Sequence, residues 1–177
     1  MNAAIPKYID IYKGFFKASL VADLEFRFNF FLLICAEFVW YATQLVIYEV
    51  LYRHTNLIGG WGQSQMRVFM FLALFVDSIY MILWDSNFTK FNEDVRKGQL
   101  DLLLTKPVNS MFMTSSQKLS ISHIPCFFVT LGGLIWSLSQ LPDFQWSKVL
   151  WLFIVIPSGL TVIFCGRFSL NATALLF

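Results

Sequence analysis

The feature that most constrains this chain is a series of four long runs with almost no charged residues. Residues 29–48 hold one charged residue, Glu37, and residues 68–84 hold one, Asp77. The stretches 119–142 and 149–166 contain no Asp, Glu, Lys or Arg. A helix of about 20 apolar residues crosses the roughly 30 Å hydrocarbon core of a bilayer. Each run therefore predicts a membrane-spanning helix.

The composition argues against an ordinary water-soluble domain. Charged residues make up 14% of the 177 residues, against about 25% in soluble domains, and apolar residues make up 57%. The apolar residues form continuous runs and lack the periodicity of a half-buried helix or strand. We therefore predict an all-α polytopic membrane protein with about four transmembrane helices, near residues 28–51, 66–86, 118–140 and 148–170.

The amino-terminal segment is too charged to cross a bilayer. On a helical wheel its apolar side holds Tyr8, Ile11, Tyr12, Phe15, Phe16, Ser19 and Ala22, and its opposite side holds Asp10, Lys13, Gly14 and Lys17. This pattern predicts an amphipathic helix in the headgroup layer, with lysines attracted to anionic lipid. An amphipathic helix packed on another protein domain is the alternative. We divide the chain into this interfacial segment, 1–25, and a transmembrane domain, 26–177.

The basic residues are unevenly divided between the two sides that four successive spans define. Ten share the side of the amino terminus, namely Lys7, Lys13, Lys17, Arg27, Lys90, Arg96, Lys97, Lys106, Lys118 and Arg167, whereas Arg53, Arg67 and Lys148 lie on the other. Because Lys and Arg concentrate in cytoplasmic segments, the amino terminus and the long loop are predicted to be cytoplasmic. Residues 56–63 are predicted to be external, in a multi-pass protein of the cell membrane.

The motifs of soluble catalysts are missing from the sequence. The glycines do not form a G-x-x-x-x-G-K-[ST] phosphate-binding loop, and there is no metal-ligand cluster or G-x-S-x-G elbow. The net charge of +2 does not suggest nucleic acid as a partner. The isolated cysteines Cys35, Cys126 and Cys165 are interpreted as small buried apolar residues. We predict no enzymatic activity and no cofactor.

Two carboxylates interrupt the predicted spans. Burying Glu37 or Asp77 near the middle of a bilayer costs a few kcal/mol on insertion scales, so both are expected to face other helices or water. They could line a substrate or ion pathway, or they could be structural groups that hydrogen-bond between helices. The residues alone leave both interpretations open.

The long loop between the second and third spans, 89–116, has its own pattern. Glu93 and Asp94 precede Arg96 and Lys97, as suits the dipole of a helix, and Gly98 is placed to end that helix in the left-handed conformation. A short apolar patch follows at Leu100, Leu102, Leu103 and Leu104, and Lys106 and Pro107 end it. The loop is therefore predicted to present leucines to a cytoplasmic partner.

Residues 96–109, R-K-G-Q-L-D-L-L-L-T-K-P-V-N, resemble the cytoplasmic signature G-x-L-D-x-L-L-x-K-P-V of ABC-2 type permeases, the membrane subunits of ATP-binding-cassette exporters. The resemblance implies that the loop couples to a separate ATPase. The residues concerned are Arg96, Lys97, Gly98, Leu100, Asp101, Leu103, Leu104, Lys106 and Pro107. It also implies that the amino-terminal helix is the interfacial elbow helix, and that a second permease copy or homologue completes a dimer.

The leading hypothesis is thus the permease subunit of an ABC exporter, which forms the pathway and is driven by alternating access. Its expected partners are an ATPase subunit, a second permease and membrane lipid, with no nucleic acid. The alternatives are a membrane-embedded enzyme using His123 or Asp77, and a non-transporting structural or assembly subunit. Because the family has six spans and this sequence offers four, we expect a chain truncated after Phe177.

Overall fold

The computed structural model describes residues 4–25, 27–55, 57–98, 110–141 and 149–173. Helices make up most of this part of the chain. They are α1 (Ala4–Glu25), α2 (Arg27–His54), α3 (Gln63–Tyr80), a π-helix (Met81–Asp85), α4 (Ser86–Arg96), α5 (Ser110–Ser116), a 3-10 helix (Ile121–His123), α6 (Ile124–Ser139) and α7 (Leu152–Ala172). Two short strands, β1 (Leu57–Ile58) and β2 (Trp61–Gly62), form a hairpin.

Four helical stretches of the described chain are long and apolar enough to cross a membrane. They cover Arg27–His54, Gln63–Arg96, Ile121–Ser139 and Leu152–Ala172. The predicted all-α class with four spans is therefore confirmed. The apolar side chains of α2 and α7 are mostly exposed, as expected for helices solvated by lipid.

The second stretch runs without a break from α3 through the π-helix into α4. Its 34 residues reach about 50 Å at 1.5 Å per residue, well beyond the roughly 30 Å hydrocarbon core. α4 carries four of the seven charged residues of this stretch and is its least apolar part. We infer that α4 continues the span as a stalk on the side of the long loop.

The bundle has two distinct ends. At one end α1, α4 and the residues that lead into the third span come together, and we call it the loop end. At the other, called the hairpin end, β1 and β2 pair through a two-residue turn at Gly59 and Gly60, whose φ angles are 58° and 85°. Two consecutive positive φ angles are typical of a type I′ turn, and glycine adopts them without strain.

The hairpin is held by two tyrosines of α2. The Tyr52 hydroxyl donates to the carbonyl of Trp61 at 3.0 Å, and the Tyr48 hydroxyl donates to the carbonyl of Gln63 at 2.5 Å. Both tyrosines are buried even though most of α2 is exposed. Their polar tips thus anchor the connection between the first two spans.

The third span begins irregularly. Residues 118–120 belong to no helix or strand, Ser120 is extended, and the 3-10 helix precedes α6. Pro125 occupies the first turn of α6, where a missing N–H leaves no hydrogen bond unmade. The proline inside a membrane-spanning helix is Pro157 of α7.

The closest helix contact described is between α3 and α6. A methyl group added at Gly133 would lie 2.1 Å from Cε1 of the Phe71 ring, whereas nothing lies within 4 Å of the same position at Gly132. The absence of a side chain at Gly133 therefore allows the Phe71 ring to pack directly on the α6 backbone, as small residues do between membrane helices. Nearby, Tyr41, Leu74 and Cys126 form the buried apolar core of α2, α3 and α6.

Span four packs on the second stretch through aromatic rings. The centroid of the Phe164 ring of α7 lies 5.2 Å from that of Trp84 and 5.6 Å from that of Phe88, and the Phe168 ring also contacts Phe88. The guanidinium of Arg167 lies 5.6 Å from the centroid of the Tyr80 ring. Because no residue of α7 is fully buried, these rings supply much of its described attachment to the bundle.

We predict that Gly133→Ala destabilises the protein by about 1–3 kcal/mol, the usual range for overpacking a core. The added methyl group overlaps the Phe71 ring and forces α3 and α6 apart. The thermal unfolding midpoint of the purified protein in detergent measures the effect. Gly132→Ala is the matched control and should leave the midpoint unchanged or raise it, and equal midpoints for the two variants would contradict the close contact.

Candidate functional site

A hydrogen-bonded junction lies at the loop end, where the long loop enters the third span. We define the junction as residues 118–121 with the side chains and carbonyls that bind their backbone. Leu119 and Ser120 are buried, although the backbone is extended and has no helical partners there. Buried N–H and C=O groups need partners from elsewhere in the fold.

Asn87 of α4 pairs with the backbone of Lys118 in both directions. Its Nδ2 donates to the Lys118 carbonyl at 2.7 Å, and the Lys118 N–H donates to its Oδ1 at 2.8 Å. Nδ2 also donates to the carbonyl of Leu83 at 2.9 Å. With 2% of its surface exposed, Asn87 behaves as a buried clamp on the end of the loop.

Two side chains of α1 accept hydrogen bonds from the next part of the junction. The Leu119 N–H donates to Ser19 Oγ at 3.0 Å, and the Ile121 N–H donates to Asp23 Oδ2 at 3.1 Å. Ser19 and Asp23 are four residues apart, so they lie on one face of α1. The Asp23 carboxylate also meets the amino-terminal end of the third span, where the helix dipole favours negative charge.

The π-helix supplies the remaining acceptor. The Ser120 N–H donates to the Ile82 carbonyl at 3.0 Å, and the hydroxyls of Ser120 and Ser86 are in hydrogen-bond contact. A π-helix changes the pairing of its backbone, so the Ile82 carbonyl can turn towards a neighbouring segment. The backbone N–H groups of residues 118–121 are thus each paired with an acceptor from an earlier helix of the chain.

The junction joins three elements at one place. α1, the second stretch and the third span each contribute to the bonds around 118–121. The Lys90 ammonium of α4 also donates to Gln117 Oε1 at 2.8 Å, immediately before the junction. Residue 117 is therefore linked by hydrogen bonds around residues 118–121 to all three elements.

The end of α4 agrees with the sequence pattern. Gly98 has a φ of 67°, its N–H donates to the Val95 carbonyl at 3.1 Å, and Lys97 forms an exposed ion pair with Glu93 at 3.0 Å. The predicted left-handed cap at Gly98 is confirmed. Of the predicted coupling residues, Arg96 ends α4, whereas Leu100, Asp101, Leu103, Leu104, Lys106 and Pro107 lie outside the described residues.

The two carboxylates within the spans both lie between helices. Glu37 Oε2 of α2 is 3.3 Å from His123 Nδ1 of the 3-10 helix, and both side chains are mostly buried. One helical turn further along α2, the Tyr41 hydroxyl donates to Asp77 Oδ2 of α3 at 3.2 Å. Glu37 Oε1 is buried and has no hydrogen-bond partner among the described residues.

These two pairs link the first three spans inside the membrane. The Ser78 and Thr130 hydroxyls, 3.4 Å apart and buried, add a contact between α3 and α6. The pairs suit a structural role, and the unpaired oxygen of Glu37 suits a pathway that admits water, so both interpretations of Glu37 and Asp77 stay open.

The prediction of three buried cysteines is right for Cys126 and wrong for Cys165, which is exposed on α7.

Sequence reasoning missed the residues that build the junction. Asn87 and Asp23 were not singled out, and Ser19 was noted only as part of an amphipathic pattern. The polar start of the third span, at Ser120 and Ser122, was the available signal, because polar residues there imply partners. Their identity depends on contacts between residues up to 100 positions apart.

We predict that Asn87→Ala lowers the thermal unfolding midpoint of the purified protein. It leaves the Lys118 N–H and carbonyl unpaired in a buried place, which costs about 1–3 kcal/mol per group. Thr89→Ala is the control, since Thr89 is exposed on the same helix and, among the described residues, bonds only the Asp85 carbonyl. A midpoint for Asn87→Ala equal to that of Thr89→Ala would show that the clamp is unimportant.

Comparison with known proteins points to one family. The family model described as "ABC-2 family transporter protein" matches residues 38–177, more than half of the chain. No curated protein and no solved structure matches significantly. The matched region contains most of the first span, the other three spans, the α4 stalk and residues 118–121 of the junction. The chain belongs to the ABC-2 family of transporter proteins, and it is a membrane permease of the ATP-binding-cassette transporters.

Proposed function

We propose that this chain is the pathway-forming permease subunit of an ABC exporter, coupled to a separate ATPase subunit through the loop 89–116. The observation that supports the proposal best is the junction at 118–121. An ATPase bound to the loop acts on a segment that is already bonded to three elements of the membrane domain. The mechanism is alternating access, with no covalent chemistry in this chain.

The two arms of the loop suit the transmission of force. The first arm is α4, a stalk that continues the second span and ends at Gly98. The second arm reaches the third span at Lys118, and the bond from Lys90 to Gln117 ties the arms together. Because Asn87 then fixes Lys118 to α4, closure of the ATPase moves the second and third spans as a unit.

The docking surface is proposed from the sequence. The leucines between residues 100 and 104 form an apolar patch, and Asp101 and Lys106 provide a charged rim. An apolar centre with a polar edge is the usual anatomy of a protein interface. In the sequence the patch begins two residues after Gly98, where the α4 stalk ends, so the proposed partner binds beyond the end of the stalk.

We also propose that two permease copies or homologues form the pathway, in the cell membrane. α2 and α7 leave large apolar side chains exposed along their lengths, such as Phe31, Val39, Phe153 and Val162. Lipid covers part of this surface, and a second permease has room to cover another part. Glu37 and Asp77 are proposed to lie beside the pathway, at the helix interfaces that rearrange during transport.

The orientation follows from charge. The loop end holds α1, α4 and Arg167 of α7, with most of the basic residues, whereas the hairpin end holds Arg53 and Arg67. By the positive-inside rule the loop end is cytoplasmic. An ATPase that uses cytoplasmic ATP then has access to the loop.

We predict that Leu103→Asp releases the ATPase while leaving membrane insertion intact. The aspartate buries an unpaired charge in the interface, which costs several kcal/mol and lowers affinity by at least two orders of magnitude. Co-purification of the ATPase with the tagged permease measures the effect. Gln99→Asp is the matched control, because it adds the same charge at a position that the family signature leaves variable.

Retention of the ATPase by Leu103→Asp at the yield of Gln99→Asp would show that the patch is not the docking site. Loss of the ATPase from both variants would point to general electrostatic repulsion in the loop. The ATPase can be supplied by co-expression, so the test does not require its gene to lie beside the gene of the permease.

We further predict that Gln63→Cys and Gln99→Cys react with a membrane-impermeant thiol reagent from opposite sides, in a variant lacking the three native cysteines. Gln63 is exposed at the hairpin end, and residue 99 directly follows the α4 cap. In intact cells Gln63→Cys should label and Gln99→Cys should label only after the cells are opened. Labelling of both in intact cells rules out the proposed orientation.

A further inference from the structure

α1 has two different apolar faces, which the sequence pattern had grouped as one. Ile11 and Phe15 are half-buried, and Ser19 and Asp23 follow on the same stripe and bond the junction. The neighbouring stripe consists of Tyr12, Phe16, Leu20 and Leu24, all of them exposed. Residues four apart line one side of a helix, so these are two adjacent stripes.

The exposed stripe suits a bilayer surface. Its four side chains are 36% to 46% exposed, and large apolar side chains in a row are costly to leave in water. Lys13 and Lys17 lie next to this stripe and are exposed as well. Apolar residues flanked by lysines are the arrangement of a helix that lies in the headgroup layer on anionic lipid.

The position of α1 supports lipid as the occupant. α1 ends at Glu25 and the first membrane span begins at Arg27, so the helix leaves the bundle at the level of the membrane surface. Its inner stripe meets the start of the third span. A single helix therefore contacts lipid on one side and the buried N–H groups of Leu119 and Ile121 on the other.

We propose that α1 is an anionic-lipid sensor, in which binding of negatively charged phospholipid to the Lys13 and Lys17 side of the helix holds Ser19 and Asp23 on the junction. A regulatory role for this contact rests on the proposed coupling function. The lipid binds more tightly when Ser19 and Asp23 of α1 are bonded to the junction than when they are released. Only such a difference in affinity can shift the equilibrium between these two states. By linkage, the bonds to the junction in turn raise the affinity of α1 for anionic lipid.

The test is amide hydrogen exchange at residues 118–121, measured by mass spectrometry on the full chain in nanodiscs without ATPase. One set contains phosphatidylcholine alone, and the other an equal mixture of phosphatidylcholine and phosphatidylglycerol. We expect the Leu119 and Ile121 amides to exchange on the order of tenfold more slowly in the anionic discs, from the attraction of two lysines. Exchange in α6 serves as the internal measure that the bundle stays folded.

Variants separate the lipid side of α1 from its junction side. The double variant Lys13→Gln with Lys17→Gln should lose the dependence on lipid charge, whereas Lys97→Gln, which removes the same charge from α4, should keep it. Asp23→Ala should raise exchange at Ile121 in both lipids, and Asp23→Asn, which retains an acceptor oxygen, should restore part of the protection.

Equal exchange in the two lipids for the unmodified chain overturns the proposal. So does slowing by added ATPase with no effect of lipid charge, since a protein face then covers α1. Because the two lipid compositions are compared without ATPase, the result can be interpreted even if the proposed docking site is wrong. Conversely, loss of lipid dependence leaves the co-purification result of Leu103→Asp unaffected.

Discussion

The structure at the loop end depends on one constraint, which is that a buried backbone N–H must find an acceptor. Residues 118–120 belong to no helix or strand and Ile121 begins the 3-10 helix, so none of these four N–H groups has a partner within a helix. Asn87, Ser19, Ile82 and Asp23 supply acceptors one after another along four residues. A hydrocarbon environment raises the penalty for leaving any of them unpaired. The positions of α1, the π-helix and α4 follow from meeting this requirement together.

Deeper in the membrane, polar pairs and close packing share the work of joining the helices. Burial of apolar surface provides little drive between helices that lipid already solvates, so specific contacts matter more. Tyr41 with Asp77, and Glu37 with His123, join the first span to the second and third. Gly133 brings α6 against Phe71 of α3. Each contact is individually modest, and their places along the helices set which faces meet.

This arrangement relates fold to function in a membrane permease. A transporter needs an element that responds to its ATPase and another that turns the response into movement of spans. The α4 stalk and the junction have the geometry for the first, because the Gly98 cap ends a helix that is continuous with the second span. The polar pairs are placed for the second, since they lie at interfaces between spans. α1 adds to the junction a helix whose other side is apolar and exposed.

The sequence by itself determined the fold class, because long uncharged runs have one stable solution in lipid, a helix with internally paired backbone. The Gly98 cap could also be predicted, since it depends on a few adjacent residues. The Leu100 to Leu104 patch and the carboxylates at Glu37 and Asp77 could be singled out as candidates, but their roles could not be derived. The sequence shows that the third span begins with polar residues, but it does not identify the partners of the backbone there.

Only the tertiary structure decided which partners the polar residues take. Leu119 bonds to Ser19, 100 residues away, and Lys118 bonds to Asn87, 31 residues away. It also divided α1 into a partly buried stripe that meets the protein and an exposed apolar stripe, which share the same periodicity. Periodicity and propensity act over a few turns of one helix. Pairing of buried backbone groups depends on which helices meet and at what depth, and that is a property of the assembled bundle.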